Sequence, residues 1–275
     1  MNKAIVDTTI LTDVLLNSGE ARSNANNALK QYSQTLLPVY AIKEFKSGPL
    51  KNFVWMHNKF ALLGSYEKAL DALQRMSRTP KRYTTSTAIQ ALKEAAGSIA
   101  KVTAGNLVDK YGEGATYDRI QCDELRLQIK IAIIKAWKKR RKVTTDIVCP
   151  LTCYKEIAPF EQRGLIELGL SECDKSNKCA MATLLMTKPD DLRLMRDAIV
   201  QSDKPENKRR AKILRQLYRT PKVPIENKDC RKLGDAIFVF IAPDDAVILT
   251  TNAVDHIPLA KAIGKQVVTP SEFIH

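Results

Sequence analysis

The stretch "AIVDTTILTDVLLN", residues 4–17, decides how the rest of the chain is read. With Lys3 it opens "KAIV", a short apolar run without alternation, as expected of a strand buried on both faces of a parallel sheet. From Thr8 the period changes, and Ile10, Leu11, Val14 and Leu15 recur at helical spacing. The segment therefore reads as strand, tight turn, helix. Asp7 sits at the turn, with Asp13 six residues on. A carboxylate at the end of a buried strand is costly unless something pairs with it, so the rest of the sequence has to supply its partners.

The same alternation continues on either side. "EARSNANNALKQYSQT" (20–35) reads as a polar, Ala-rich helix after a turn at Gly19. "LLPVYAIKEFKSG" (36–48) begins extended, because Pro38 disfavours helix at Leu37, then turns helical through Glu44 and is expected to stop at Gly48. Near the other end, "AVILTTN" (246–252) is the clearest strand, "IPLAKAIG" (257–264) a short helix capped by Gly264, and "QVVTP" (266–270) a last strand ended by Pro270. "KLGDAIFVFIA" (232–242) has the β-branched and aromatic content of a strand. Alternation at both ends implies an α/β fold with a central, mainly parallel sheet flanked by helices. In such sheets binding groups collect beyond the carboxyl ends of the strands. Asp7 follows one strand, and Asn252 and Asp255 follow another, so both are expected to face one crevice.

Residues 50–142 carry no strand signal and no repeat; 52–78, 84–102 and 116–142 all read as helices. "DIVCPLTCYKEIAPF" (146–160) is open between strand and helix. Residues 178–202 read as two helices broken at Pro189, and 205–219 as a strongly basic helix with Pro205 in its first turn. The expected organisation is a discontinuous core of 1–50 and 226–275 around a large all-helical insertion, 51–225, whose part from about 146 packs on the core.

Forty-four basic against thirty acidic residues leave a net charge of +14, which favours a polyanionic partner, nucleic acid first. The densest positive stretches are Lys138, Lys139, Arg140 and Arg141 in "KKRRK", and Lys208, Arg209, Arg210, Lys212, Arg215 and Arg219 in "KRRAKILRQLYR". These could grip phosphates, with Tyr218 stacking on a base; the alternative is solvated helix faces. The longest apolar run, "AIFVFIA" (236–242), is too short to cross a bilayer and the N-terminus lacks a secretory apolar stretch, so a cytoplasmic protein without a membrane partner is expected. The six cysteines read as buried thiols, since Cys149, Cys153, Cys173 and Cys179 are spaced loosely for zinc. The three histidines form no metal-ligand pattern; His256, next to Asp255, could lie near the site, but a packed or exposed histidine is the preferred reading.

Taken in order, "IVDTTILTDVLL", "PVYAIKEFKSG" and "LGDAIFVFIAPDDAVILTTNAVDHIPLAKAIGKQVVTP" resemble a PIN domain, a metal-dependent ribonuclease fold. That family places an aspartate after the first strand, a glutamate in a helix some forty residues later, a third acid at the start of a late helix, and a T-x-D/N strand end followed by a further aspartate. Asp7, Glu44, Asp235, Asn252 and Asp255 stand at those places. The resemblance covers roughly the first 50 and last 70 residues, by element order. It implies a PIN-like three-layer fold, and it makes the stretch after Asp235 a buried helix. Members are commonly half this length. A second strand-end-aspartate family, the haloacid-dehalogenase-like phosphatases, wants an aspartate where Thr9 stands.

The resemblance implies that Asp7, Glu44, Asp235 and Asp255 are catalytic and, with Asn252, gather Mg2+ or Mn2+. Hydrolysis of a phosphodiester needs an activated water and neutralised phosphate charge, which such ions supply through carboxylate oxygens. Carboxylates converging without a cation would repel one another. Asn252 replaces a frequent aspartate, which weighs against a complete second metal site. Thr8 and Thr250 are expected to hydrogen-bond these acids, and Asp13 to sit on a solvated helix face in preference to the rim. The expected function is a Mg2+- or Mn2+-dependent endoribonuclease acting on RNA, in a toxin–antitoxin, defence or RNA-processing role. The helical insertion would serve as substrate clamp, homo-oligomer interface or antitoxin platform. The alternative is a non-catalytic RNA-binding or scaffold protein that kept the fold.

Overall fold

The computed structural model describes residues 2–77, 110–112, 114–169, 180–220 and 227–273, with four helical positions between 89 and 96. The centre of the molecule is β1 (Lys3–Val6), in which Ala4, Ile5 and Val6 have no exposed surface. Successive side chains of a strand point to opposite faces, so both faces of the sheet are covered, giving three layers. β2 (Gln34–Pro38) flanks β1 on one side, with β3 (Asp146–Val148) beyond it. After the hairpin β4 (Phe160–Gln162) and β5 (Leu165–Glu167), β6 (Ala246–Leu249) flanks β1 on the other side, with β7 (Val267–Val268) beyond. The five-stranded sheet thus runs β3-β2-β1-β6-β7, with every pairing parallel, and only the separate β4–β5 hairpin is antiparallel.

Parallel neighbours need crossovers, and the helices supply them. α1 (Thr8–Leu15) and α2 (Gly19–Lys30) return the chain from β1 to β2. The helix expected over 20–35 ends at Lys30, because Gln34, Thr35 and Leu36 are drawn into register with Lys3, Ala4 and Ile5. α3 (Val39–Phe45) starts at Pro38, as expected, but no break follows at Gly48: a π-helical turn (Lys46–Leu50) leads directly into α4 (Lys51–Leu63). The wider turn accommodates Pro49, whose ring would otherwise collide with the carbonyl four residues back. Lys46 in this turn is wholly buried, its Nζ donating to the carbonyls of Ile157 (2.5 Å) and Gly169 (3.0 Å) and lying 5.0 Å from the centre of the Trp137 ring. Burial, with Arg140 nearby, lowers its pKa to about 8.

α5 (Tyr66–Ser77) and α6 (Tyr117–Lys139) follow; the helix expected over 84–102 lies outside the described residues apart from the four positions noted. Then come α7 (Ala180–Leu185), α8 (Pro189–Ile199), α9 (Pro205–Arg219), α10 (Asn227–Lys232), α11 (Gly234–Ile241) and, between β6 and β7, α12 (Ala253–Ala262). Pro189 and Pro205 each occupy a first helical position, where no N–H is missed. The stretch 236–241 is helical despite its strand-like composition. Its C-terminal carbonyls, from Val239, Phe240 and Ala242, are capped by the buried ammonium of Lys265.

The all-helical expectation for 51–225 does not hold. Three short strands fall within it, and β3 is an edge of the main sheet, pairing Leu36, Leu37 and Pro38 with Asp146, Ile147 and Val148. Buried side chains of α4, α6, α8 and α9 form one apolar cluster with those of β1, β2 and α11. No described helix is long and apolar enough to cross a membrane.

Because Ile5 is fully buried in the central strand, Ile5→Ala is expected to cost about 2–5 kcal/mol of unfolding free energy in urea denaturation. Val254→Ala, at a side chain 68 % exposed, should change stability by under about 0.5 kcal/mol.

Candidate functional site

At the carboxyl end of β1 the chain must leave the sheet and start a helix, and Asp7 makes that turn. It is extended in backbone conformation and caps α1, its Oδ1 accepting from the Thr8 N–H at 2.6 Å. Oδ2 accepts from two hydroxyls, Thr250 at 2.6 Å and Thr9 at 2.8 Å. Thr250 stands just past β6, so the carboxylate ties the ends of two adjacent parallel strands together. Burial works to raise the Asp7 pKa, but His256 beside it and the Thr250 and Thr9 hydroxyls hold it below the usual carboxylate range.

Glu44 comes from the last turn of α3, two residues before the π-helical turn begins at Lys46. Its Oε2 accepts from the Thr8 hydroxyl at 2.5 Å, which places it over the start of α1. Across from it, α11 begins at Gly234; a Cβ there would sit 3.0 Å from Glu44 Oε1, so glycine lets the carboxylate lie against the helix. Burial, then the negative charge of Asp7, drives the Glu44 pKa to about 7, with Asp235 adding to the repulsion and Thr8 opposing it. Asp235 is raised by burial too, against the counter-charges of Arg210 and His256 and with Asp7 and Asp255 pushing upward. Asp7, Glu44 and Asp235 thus feel one another's charge, although they lie far apart in sequence.

His256 sits among them. It is fully buried on α12, with Nε2 3.4 Å from Asp235 Oδ1 and 3.6 Å from Asp7 Oδ2, and neither ring nitrogen has a hydrogen-bond partner. Burial opposes the imidazolium, but Asp7 and Asp235 outweigh it and raise the pKa. Sequence reading set this histidine aside. Its neighbour Asp255 takes partners of its own, although its charge still reaches Asp235. Asp255 pairs with Lys204 Nζ at 3.0 Å and accepts from Asn252 Nδ2 at 3.1 Å. Asn252 thus holds the Asp255 carboxylate by its side-chain amide. Burial of Asp255 is outweighed by Lys204 and Asn252, which hold its pKa down.

The second cation missed as a site residue is Arg210. Expected among the phosphate-gripping residues or else on a solvated face, it is 6 % exposed and pairs with Asp235, donating also to the Lys232 carbonyl (3.0 Å) and Asn207 Oδ1 (3.1 Å). A signal existed in the sequence: Asn207, Arg210, Leu214 and Leu217 share the buried stripe of α9. Lys208, Arg209, Lys212, Arg215 and Arg219 do lie on the exposed face. The Tyr218 ring has the Arg196 guanidinium 5.6 Å away, so it is not an open stacking platform. In the other basic run Lys138 and Lys139 are exposed, whereas Arg140 and Arg141 both pair with Glu156, and Arg140 stacks 3.6 Å over Trp137. Those two arginines are spent on structure. Asp13 is not on a solvated face either: burial and the charge of Asp7 raise it to about 6, while Asn17 hydrogen-bonds it at 2.5 Å.

The donor chemistry suits a hard divalent cation, and the excess negative charge that raises Glu44 is what such an ion would relieve. The geometry is a self-compensated one. Among the described residues no three His, Cys, Asp or Glu side chains are grouped so as to hold one ion. Positive charge reaches the acids instead from Arg210, Lys204 and His256. Comparisons with known proteins find no matching family model, curated protein or solved structure.

A carboxyl raised from 4.5 to about 7 keeps its proton in the folded chain after the unfolded chain has lost it, so Glu44 destabilises the fold increasingly as pH climbs through that window. Glu44→Gln removes this penalty. It is expected to gain about 1–2 kcal/mol at pH 8 relative to its effect at pH 4.5, measured by urea denaturation at both values, the range allowing for solvent screening.

Proposed function

We propose that the chain is a metal-dependent ribonuclease with a PIN-like fold, hydrolysing RNA phosphodiesters at the acidic cluster. The observation that carries the proposal is that Asp7, Glu44 and Asp235, with Asp255 nearby, lie within reach of one another's charge at the carboxyl end of a parallel sheet. A fold gains nothing from burying like charges together, so the arrangement points to a task. The order of acids along the chain, each at the element end that the family resemblance assigns to it, supports the same conclusion.

Asp7, Glu44, Asp235 and Asp255, with Asn252, would hold Mg2+ or Mn2+. When bound, the ion supplies an activated water and neutralises charge on the phosphate. The chain's own residues do the remaining work. Thr250 and Thr9 aim the Asp7 carboxylate, Thr8 aims Glu44, and Asn252 aims Asp255. Binding of a cation requires Asp235 to give up Arg210 and Asp255 to give up Lys204, which frees two positive side chains at the site to meet an RNA phosphate. The exposed basic face of α9 carries positive charge outward from Arg210, offsetting the repulsion between carboxylates and RNA. A toxin or defence role is compatible with this chemistry.

One observation favours a second proposal, a non-catalytic RNA-binding or scaffold protein: the acids already have internal partners and no three donors converge. The two separate experimentally. The purified chain is expected to bind Mn2+ in calorimetry and to cleave RNA in its presence, with cleavage stopped by chelation. Asp7→Asn and Asp235→Asn should each lower the rate by at least roughly 100-fold. A folded wild-type chain that takes up no Mn2+ and leaves RNA intact would establish the scaffold instead.

A further inference from the structure

Away from the acids, α1, α2, α6 and the turn after α6 enclose a groove of about 720 Å³. Asp7 caps the N-terminus of α1, whereas the groove takes Val14, Leu15 and Leu16 from its other end. Four cations line it: Arg22 from α2, and Lys135, Lys139 and Lys142 along the opposite edge. No carboxylate lines it, and none of the four makes an ion pair or side-chain hydrogen bond among the described residues. The floor is aliphatic, with Leu15, Ile131, Ala132 and Val143 among its side chains. This charge and this floor are used by neither the acidic site nor the packing of the core.

We propose that the groove docks an acidic amphipathic helical segment of a protein partner. The three lysines recur at i, i+4 and i+7, a row about 10 Å long that matches acids repeated on one helix face. Aliphatic side chains of the segment fill the floor while its acids meet the lysine row and Arg22. A single-headed amphiphile would need its cations gathered at one end, and here they are strung along both rims. RNA matches the charge but not the floor. The one ring in the lining, Phe53, is 1 % exposed and offers no face for a base to stack on. The proposal stands independently of the ribonuclease reading, since it uses none of the acidic residues.

The test is a display selection of random peptides of about 16 residues, some four helical turns, against the full chain. Enriched peptides are expected to combine Asp or Glu with Leu or Ile at i, i+3, i+4 and i+7. Their affinity, measured by fluorescence anisotropy, should fall at least about tenfold in the triple variant Lys135→Glu, Lys139→Glu, Lys142→Glu, whose fold is checked by circular dichroism. It should also fall in Ala132→Gln, which alters the floor without touching charge. The proposal is overturned if no acidic amphipathic sequence is enriched, or if the enriched peptides bind both variants as they bind wild type. It is equally overturned if polyuridine or oleate, in place of peptide, binds the wild type and loses affinity in the triple variant.

Discussion

A carboxylate buried where the central strand ends is the constraint around which this molecule is arranged. Asp7 has to leave the sheet, cap a helix and remain charged with almost no access to water. It does so because a backbone N–H and two threonine hydroxyls converge on it, one of them from the neighbouring strand end, with His256 alongside. Bringing Thr250 to Asp7 requires β6 to lie beside β1 in parallel, with Ile5 opposite Ile248 and Val6 opposite Leu249. Sheet register and site chemistry are therefore the same fact seen at two scales.

Where Asp7 accepts three hydrogen bonds, Glu44 has the Thr8 hydroxyl and Asp235 the Arg210 guanidinium. They are buried in one another's field and in that of Asp7, and their pKa values rise. The relief available inside the protein comes from α9 and the residue before it: Arg210 reaches Asp235 and Lys204 reaches Asp255. One amphipathic helix thus turns a guanidinium inward to the acids while presenting its other basic residues to solvent. Any cation arriving at the site competes with that arginine and that lysine.

The rest of the positive charge is unevenly employed. Arg140 and Arg141 are consumed by Glu156 and the Trp137 ring, and the Lys46 ammonium is buried on two carbonyls where α3 passes into α4. Among the described residues, exposed basic side chains line the outer face of α9 and the groove beside α6. Those two surfaces suit different partners, because one borders carboxylates and the other borders an aliphatic floor.

Much of the fold and half of the candidate site were legible from residue order. A continuous apolar run followed by an acid and a helical period could hardly be anything but a buried strand and a capped helix, and the same logic located Asn252 and Asp255. Glu44 and Asp235 were found by their place in a family pattern, and their convergence depends on contacts between distant segments that no local rule encodes. Residues 146–148, open between strand and helix from their sequence, become an edge strand by pairing with β2, and 236–241, strand-like in composition, form the helix that the family pattern implies, with carbonyls capped by Lys265. That His256 is both packed and beside the acids, and that Arg210 turns inward, are properties of packed helices, visible only once α9 and α12 lie against the strand ends. The sequence by itself determined where strands end in acids and how the chain alternates, since those follow from local periodicity and capping. Tertiary structure alone decided which cations neutralise the acids, because electrostatic partnership depends on distances across the fold.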